Sequence, residues 1–381
     1  MSLMLKHKKV ELTELFYDLV FVYGFSQQTA LIHHVHDGIV PFVSFFAFVI
    51  GMVTMINSWM VQTVFTNRFG KNSLTNIFMM FAQMALLLIS LTSVTDEFTH
   101  QNFVYFYAPI AGISFLLLVQ YILEYLGSDN EADKVFIRRF FYILGTRTLG
   151  LLLAVFLPYR IGLIVAAVSI VMTWLLPAFL TKRNIMPKEL KPINFPHLVE
   201  RLSLLVIITF GEMIIGIADY FSPERLSPLS FCIFLIVASL FMVYIVEIDH
   251  MIDVDIDNPD GNSFIYWHYP IFFGLSFVTV SLGFLGNEEA NNGFATLLLY
   301  LGIAMLMIGI YQLQPMNKVS HYFTPKLLLG ISSVWLMAVL LSLVFLKSSA
   351  SLIVIGSLAT LIMAVIAVVF NLRHLSDTPR F

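Results

Sequence analysis

The sequence predicts an all-α fold: a polytopic transmembrane helix bundle of about twelve spans, arranged as two parallel six-span repeats with both termini cytoplasmic. Three observations carry this expectation. Of 381 residues, 59% are hydrophobic and only 12% are charged, whereas a soluble domain carries about 25% charge. Apolar stretches of about twenty residues, the length that crosses hydrocarbon as an α-helix, recur along the chain. Lysine and arginine alternate between rich and poor loops, as the positive-inside rule requires.

The spans fall at roughly 13–32, 41–64, 74–94, 103–126, 136–157 and 160–180, then 197–218, 228–248, 266–286, 293–313, 326–346 and 351–372. Turn residues or charges separate them: His36-Asp37-Gly38, Phe69-Gly70-Lys71-Asn72, Gly127-Ser128-Asp129-Asn130, Pro158-Tyr159-Arg160 and Asn258-Pro259-Asp260-Gly261. The fifth and sixth spans are joined so tightly that a hairpin is expected. With the N-terminus inside, sixteen Lys and Arg face the cytoplasm and three, Arg160, Arg225 and Lys347, face outward. Arg147 and Arg201 fall within spans. Miscounting one span would scramble this asymmetry.

Residues 1–180 form the first six-span half, 181–196 a basic, proline-containing cytoplasmic linker, and 197–381 the second half. Each half has an even number of spans, so the halves share orientation and form a parallel repeat. Glu14-Leu-Phe-Tyr-Asp18 opens the first span, and His197-Leu-Val-Glu200-Arg201 opens the seventh, 186 residues later.

Several function classes are excluded. The net charge of −3 and pI near 6.4 argue against nucleic acid as a partner. One cysteine, Cys232, allows neither an internal disulfide nor a cysteine metal cluster. The N-terminus lacks a signal-peptide cleavage site, so the first apolar segment is expected to stay in the protein. No nucleophile elbow, phosphate loop, zinc-protease helix or dinucleotide fingerprint occurs. No catalytic residue, cofactor or metal is therefore expected. His33, His34, His36 and Asp37 read as a polar loop rather than a zinc site. The acidic run Asp253, Asp255, Asp257 and Asp260 lacks the glycine and glutamate of a calcium loop.

The charges inside the spans carry the functional expectation, because an ionisable side chain in a span costs about 2.5–3.5 kcal/mol on insertion scales. Glu14 and Asp18 are four residues apart and share one helix face. Two carboxylates that close, partly out of water, cannot both ionise cheaply. His197 lies on the same face as Glu200 and Arg201 at spacings of three and four. Glu212 follows three turns deeper. Arg147 lies mid-span in Leu144-Gly-Thr-Arg147-Thr-Leu-Gly150 and needs a carboxylate, with Asp18 and Glu212 as candidates. Glu14, Asp18, Glu200 and Glu212 against Arg147 and Arg201 leave two acids in excess, which must be protonated or hold a cation. Glu247, Asp249 and His268 are secondary candidates. Asn57, Gln83, Gln120 and Glu124 are polar span positions that can face an interior.

Glu14-Leu-Phe-Tyr-Asp18-Leu-Val-Phe-Val resembles the opening signature of the bacterial low-temperature-requirement A (LtrA) family. His197-Leu-Val-Glu200-Arg201, with Leu204 through Gly211-Glu212, resembles that family's second signature. Trp267-His268-Tyr269-Pro270, the length and the span count are also similar. The resemblance covers essentially the whole chain and carries over Glu14, Asp18, His197, Glu200, Arg201, Gly211 and Glu212. It implies a bacterial multi-pass membrane protein of a family named for a growth phenotype in the cold, and it implies no substrate.

The leading expectation is a proton- or cation-coupled transporter of an unknown small solute in the plasma membrane. Its intramembrane carboxylates would work between two half-bundles, with the lipid bilayer and protons as partners. The alternatives are a membrane-embedded enzyme or lipid-handling protein of the envelope, and a cation or proton channel. Oligomeric state is not encoded in any visible pattern.

Overall fold

Short polar side chains set where the helices begin. Ser73 Oγ accepts from Asn76 N–H at 3.3 Å, Thr99 from Asn102 at 3.2 Å, Asp260 from Ser263 at 3.0 Å and Thr324 from Leu327 at 3.2 Å. Each fills one donor that an α-helix leaves open in its first turn. Pro228 and Pro325 occupy first helical positions, where a missing N–H costs nothing.

The computed structural model describes residues 8–183, 193–256 and 259–375. Among these residues there are twelve α-helices and no strand: α1 (Leu12–Ala30), α2 (Phe42–Arg68), α3 (Leu74–Leu91), α4 (His100–Gly127), α5 (Glu131–Phe156), α6 (Tyr159–Arg183), α7 (Phe195–Ile217), α8 (Pro228–Ile245), α9 (Gly261–Leu285), α10 (Asn292–Gln312), α11 (Pro325–Val344) and α12 (Ser349–Leu375). Eleven are long and apolar enough to cross a membrane. The exception is α1, which carries Glu14, Asp18, Gln27 and Gln28 in nineteen residues. Residues 184–192 of the expected linker, and Asp257 of the acidic run, lie outside the described residues.

The chain divides into two compact units: Met1–Leu31 with Phe42–Arg201, and Ile32–Pro41 with Leu202–Phe381. The boundary falls inside α7, so His197 and Arg201 belong to the first unit. In that unit α1 packs on α2 and α3, α4 on α3 and α5, and α5 on α6. Two residues, Leu157 and Pro158, join α5 to α6, and the two helices form the expected hairpin. The central helix is α2, buried without interruption from Gly51 through Asn67. A helix buried all round must satisfy its polar residues inside the protein, and α2 carries Asn57, Ser58, Gln62, Thr66 and Asn67 in this stretch.

In the second unit α9 packs along α10, α8 on α12, and α11 on α12. Glycines set the α9–α10 spacing. A Cβ on Gly274 would come within 2.5 Å of the Gly302 carbonyl oxygen, and one on Gly302 within 2.6 Å of the Gly274 oxygen. The C-terminal end of α8 widens into a π-helical turn, Val246–Met251, where Ile252 N–H donates to the Glu247 carbonyl at 3.0 Å. The segment Ile32–Pro41 joins this unit through Asn291 N–H, which donates to the Gly38 carbonyl at 2.9 Å.

Candidate functional site

The first turns of α1 carry their acids on the buried face. Glu14, Tyr17, Asp18, Phe21, Val22 and Phe25 are buried, while Leu12, Phe16, Leu19 and Tyr23 are exposed. The pattern follows the helical repeat and places two carboxylates against the interior of the first unit. Glu14 Oε2 also accepts from Glu11 N–H at 3.0 Å, which ties it to the start of its own helix.

Four ionisable side chains meet there. Arg201, at the start of α7, is fully buried, and its guanidinium donates to both oxygens of Asp18: Nε to Oδ2 at 3.3 Å, and Nη2 to Oδ1. A bidentate pair of this kind fixes both charges in one geometry. Arg201 Nη1 donates to Thr66 Oγ1 at 3.0 Å and lies 3.9 Å from Glu14 Oε1. Trp59 Nε1–H donates to Asp18 Oδ1 at 2.6 Å, and the Arg201 guanidinium lies 5.2 Å from the Trp59 ring centroid. His197 Nε2 lies 3.0 Å from Glu14 Oε2.

The hydrogen-bond network sets the proton on His197. Asn194 N–H donates to Asn67 Oδ1 at 2.9 Å, which fixes the Asn67 amide orientation. Its Nδ2 then donates to the Asn194 carbonyl at 2.9 Å and to His197 Nδ1 at 3.1 Å. A nitrogen that accepts carries no proton, so the imidazole is neutral and holds its proton on Nε2, aimed at the Glu14 carboxylate. Chain direction makes this possible, because the last turn of α2 brings Thr66 and Asn67 beside the first turns of α1 and α7.

One edge of the cluster reaches a small polar cleft of about 60 Å³, lined by Lys8, Glu11, Glu14, Thr66, Lys71 and Asn72 among others. The Lys8 ammonium donates to the carbonyls of Thr66 and, at 3.2 Å, Gly70. Burial lowers its pKa from the ordinary value, against the pull of nearby Glu14. Polar side chains continue past the cluster inside the same unit. Tyr17 O–H donates to Gln83 Oε1 at 2.8 Å, and Gln83 Nε2 donates to Gln120 Oε1 at 2.8 Å and Gln62 Oε1 at 3.2 Å.

The profile of the family described as bacterial low temperature requirement A protein (LtrA) matches residues 9–370. The chain belongs to the LtrA family. A comparison with curated proteins finds no match. As a member of the LtrA family with, among the described residues, eleven helices long and apolar enough to cross a membrane, the chain is a multi-pass membrane protein. The two segments that resemble LtrA signatures contribute Glu14 and Asp18 from α1, and His197 and Arg201 from α7, to this one cluster.

The remaining sequence candidates lie elsewhere. Arg147, expected opposite Asp18 or Glu212, donates to Asn57 Oδ1 at 2.6 Å and Ser58 Oγ at 2.5 Å, while Asp18 is held by Arg201. Glu200 is half-buried on the position before Arg201. Glu212 belongs to the second unit and is half-buried. Gly211 makes no close helix contact: it is exposed, and a Cβ there would meet nothing within 4 Å. Glu247 is buried in the π-helical turn, and Asp249 beside it is exposed. His268 is fully buried in the second unit. Its Nδ1–H donates to the Phe264 carbonyl at 2.7 Å, so Nε2 accepts from Tyr244 O–H at 3.2 Å.

Sequence reasoning missed Trp59, Thr66, Asn67 and Lys8. Trp59 carried a signal, since an indole in mid-span needs a buried acceptor and the carboxylates of α1 were the available ones. Thr66 and Asn67 stand where a span ends, and polar residues there are unremarkable.

Proposed function

We propose that the protein is a proton- or cation-coupled transporter of a small solute in the plasma membrane, with coupling carried by Glu14, Asp18, His197 and Arg201. The observation behind this reading is that two carboxylates, a neutral imidazole and a guanidinium share one sealed site that borders a polar cleft. Arg201 sits between two acids, bonded to Asp18 and 3.9 Å from Glu14. Such a cation between two carboxylates is an element with two arrangements, which alternating access requires. A proton or cation arriving at Glu14 by way of the cleft removes its charge and commits Arg201 to Asp18. Its departure returns Arg201 to a position shared between the acids. Beyond the cluster the buried amides of Gln83, Gln62 and Gln120, bonded to one another, keep the interior of this unit polar.

The test is flux in sealed proteoliposomes with an imposed pH gradient, presenting small polar solutes in turn and following internal pH with a trapped dye. The expected result is solute-dependent proton movement in wild type, lost in Glu14→Gln and Asp18→Asn variants that remain monodisperse. Wild-type rates in both folded variants would remove the role assigned to these acids. A passive conductance without turnover saturation would indicate a channel. No flux, together with an altered lipid profile in a deletion strain, would indicate lipid handling.

A further inference from the structure

The second unit contains a cavity of about 330 Å³, within the range of small-molecule sites at roughly 300–1,000 Å³. Its lining is almost wholly hydrocarbon, including Met251, Met307, Ile310, Phe323 and Ile331, and its one charged side chain is Glu247. Glu247 is 1% exposed. The Asn317 side-chain amide faces its carboxyl group, yet Oε1 has no hydrogen-bond partner among the described residues. A buried charge without a partner is costly. The carboxylate is held there by the π-helical turn Val246–Met251, and π-helical turns inside helices are frequent at functional sites.

The mouth lies between α10 and α11. Ile308 and Tyr311 on α10 line the cavity and are 51% and 40% exposed, and Ser332 on α11 is exposed at the rim. The buried positions of α11 are confined to Leu327, Ala338 and Ser342. These two helices bear apolar outer faces, so the cavity opens toward lipid rather than water.

We infer that this cavity binds a single-chain lipophilic primary amine, with the ammonium on Glu247 and the hydrocarbon chain leaving between α10 and α11. One carboxylate neutralises one monocation. A divalent metal demands more oxygen ligands than this lining offers. A neutral lipid tail would fill the apolar walls and leave Glu247 Oε1 without a donor, whereas an ammonium supplies both the charge and the hydrogen bond. This inference does not rest on the transport reading, and its test reads binding without flux.

The experiment titrates dodecylamine into the full chain in phosphatidylcholine nanodiscs by calorimetry, with empty discs as the blank and dodecanol as the uncharged probe. Glu247→Gln removes the charge at constant shape. Ser332→Trp narrows the mouth from a lipid-facing position that tolerates bulk. The expected result is saturable one-site binding, at least tenfold tighter for the amine than for the alcohol. Glu247→Gln brings the amine to the level of the alcohol, and Ser332→Trp weakens both. If lysophosphatidylethanolamine in the disc competes, the resident amine is a single-chain membrane lipid; without competition it is a free amphiphile, and either outcome supports the site. No saturable binding above empty discs, or an amine affinity unchanged in monodisperse Glu247→Gln, overturns it.

Discussion

The Asp18–Arg201 pair gives the most demanding test of the candidate site. Both side chains are fully buried, and Arg201 also donates to Thr66. Removing one member strands the other charge inside the protein, which costs about 3–5 kcal/mol, whereas replacing both with apolar residues is often neutral. Asp18→Leu and Arg201→Met are therefore each expected to destabilise by about 3–5 kcal/mol. The double variant differs from the simple neutral case for one reason. Trp59 Nε1–H loses its acceptor at 2.6 Å, and a buried donor left without a partner costs about 1–3 kcal/mol. The double variant is thus expected about 1–3 kcal/mol below wild type, far less than the sum of the singles. Adding Trp59→Phe removes the stranded N–H and should recover part of that loss. Unfolding in mixed micelles of dodecyl maltoside and dodecyl sulfate, followed by circular dichroism, measures all four. Additive singles, or a single costing less than about 1 kcal/mol, would refute the claim that these charges depend on each other.

Three further predictions concern separate features. The buried histidines carry opposite tautomers, so ¹⁵N NMR of selectively labelled protein should find the proton on Nε2 of His197 and on Nδ1 of His268; the same tautomer at both would contradict the networks drawn around them. Gly274→Ala and Gly302→Ala each force a methyl against backbone at 2.5–2.6 Å, and each is expected to lower stability by about 1–3 kcal/mol as α9 and α10 move apart. Equal unfolding midpoints for variant and wild type would show that this seam can yield. The Lys8 pKa is lowered by burial from its ordinary 10.5, so the folded state releases that proton before the unfolded state does. Stability then rises with pH between the depressed value and 10.5, and the difference between wild type and Lys8→Met, measured across alkaline pH, should show that rise. A flat difference would mean that Lys8 titrates alike in both states.

Composition and period alone specify that this chain is a bundle of membrane-crossing helices. Hydrocarbon leaves a backbone no alternative to internal hydrogen bonding, so long apolar stretches between turn residues read directly as helices. The two-residue connection between α5 and α6 likewise admits only a hairpin. The acids of α1 were visible for the same reason, since an ionisable residue in a span has few bland explanations.

Partner choice was not visible. Charge balance treated Arg147 and Arg201 alike and offered Asp18 and Glu212 to Arg147, because counting charges carries no information about direction. The tertiary structure gave Asp18 to Arg201, since the first turns of α1 and α7 lie at one end of the first unit, beside the last turn of α2. It gave Arg147 the neutral oxygens of Asn57 and Ser58, in the middle of a helix buried on every side. Glu247 and Asp249 stood together as secondary candidates, and Asp249 lies in the open. Both lie in the π-helical turn Val246–Met251, and what separates them is the cavity that Glu247 alone of the two lines, which is enclosed by residues distant in sequence. Local chemistry determined which segments are helices and which charges demand a reason. The reason itself, in each case, is a distance between helices, and only the packed bundle sets that.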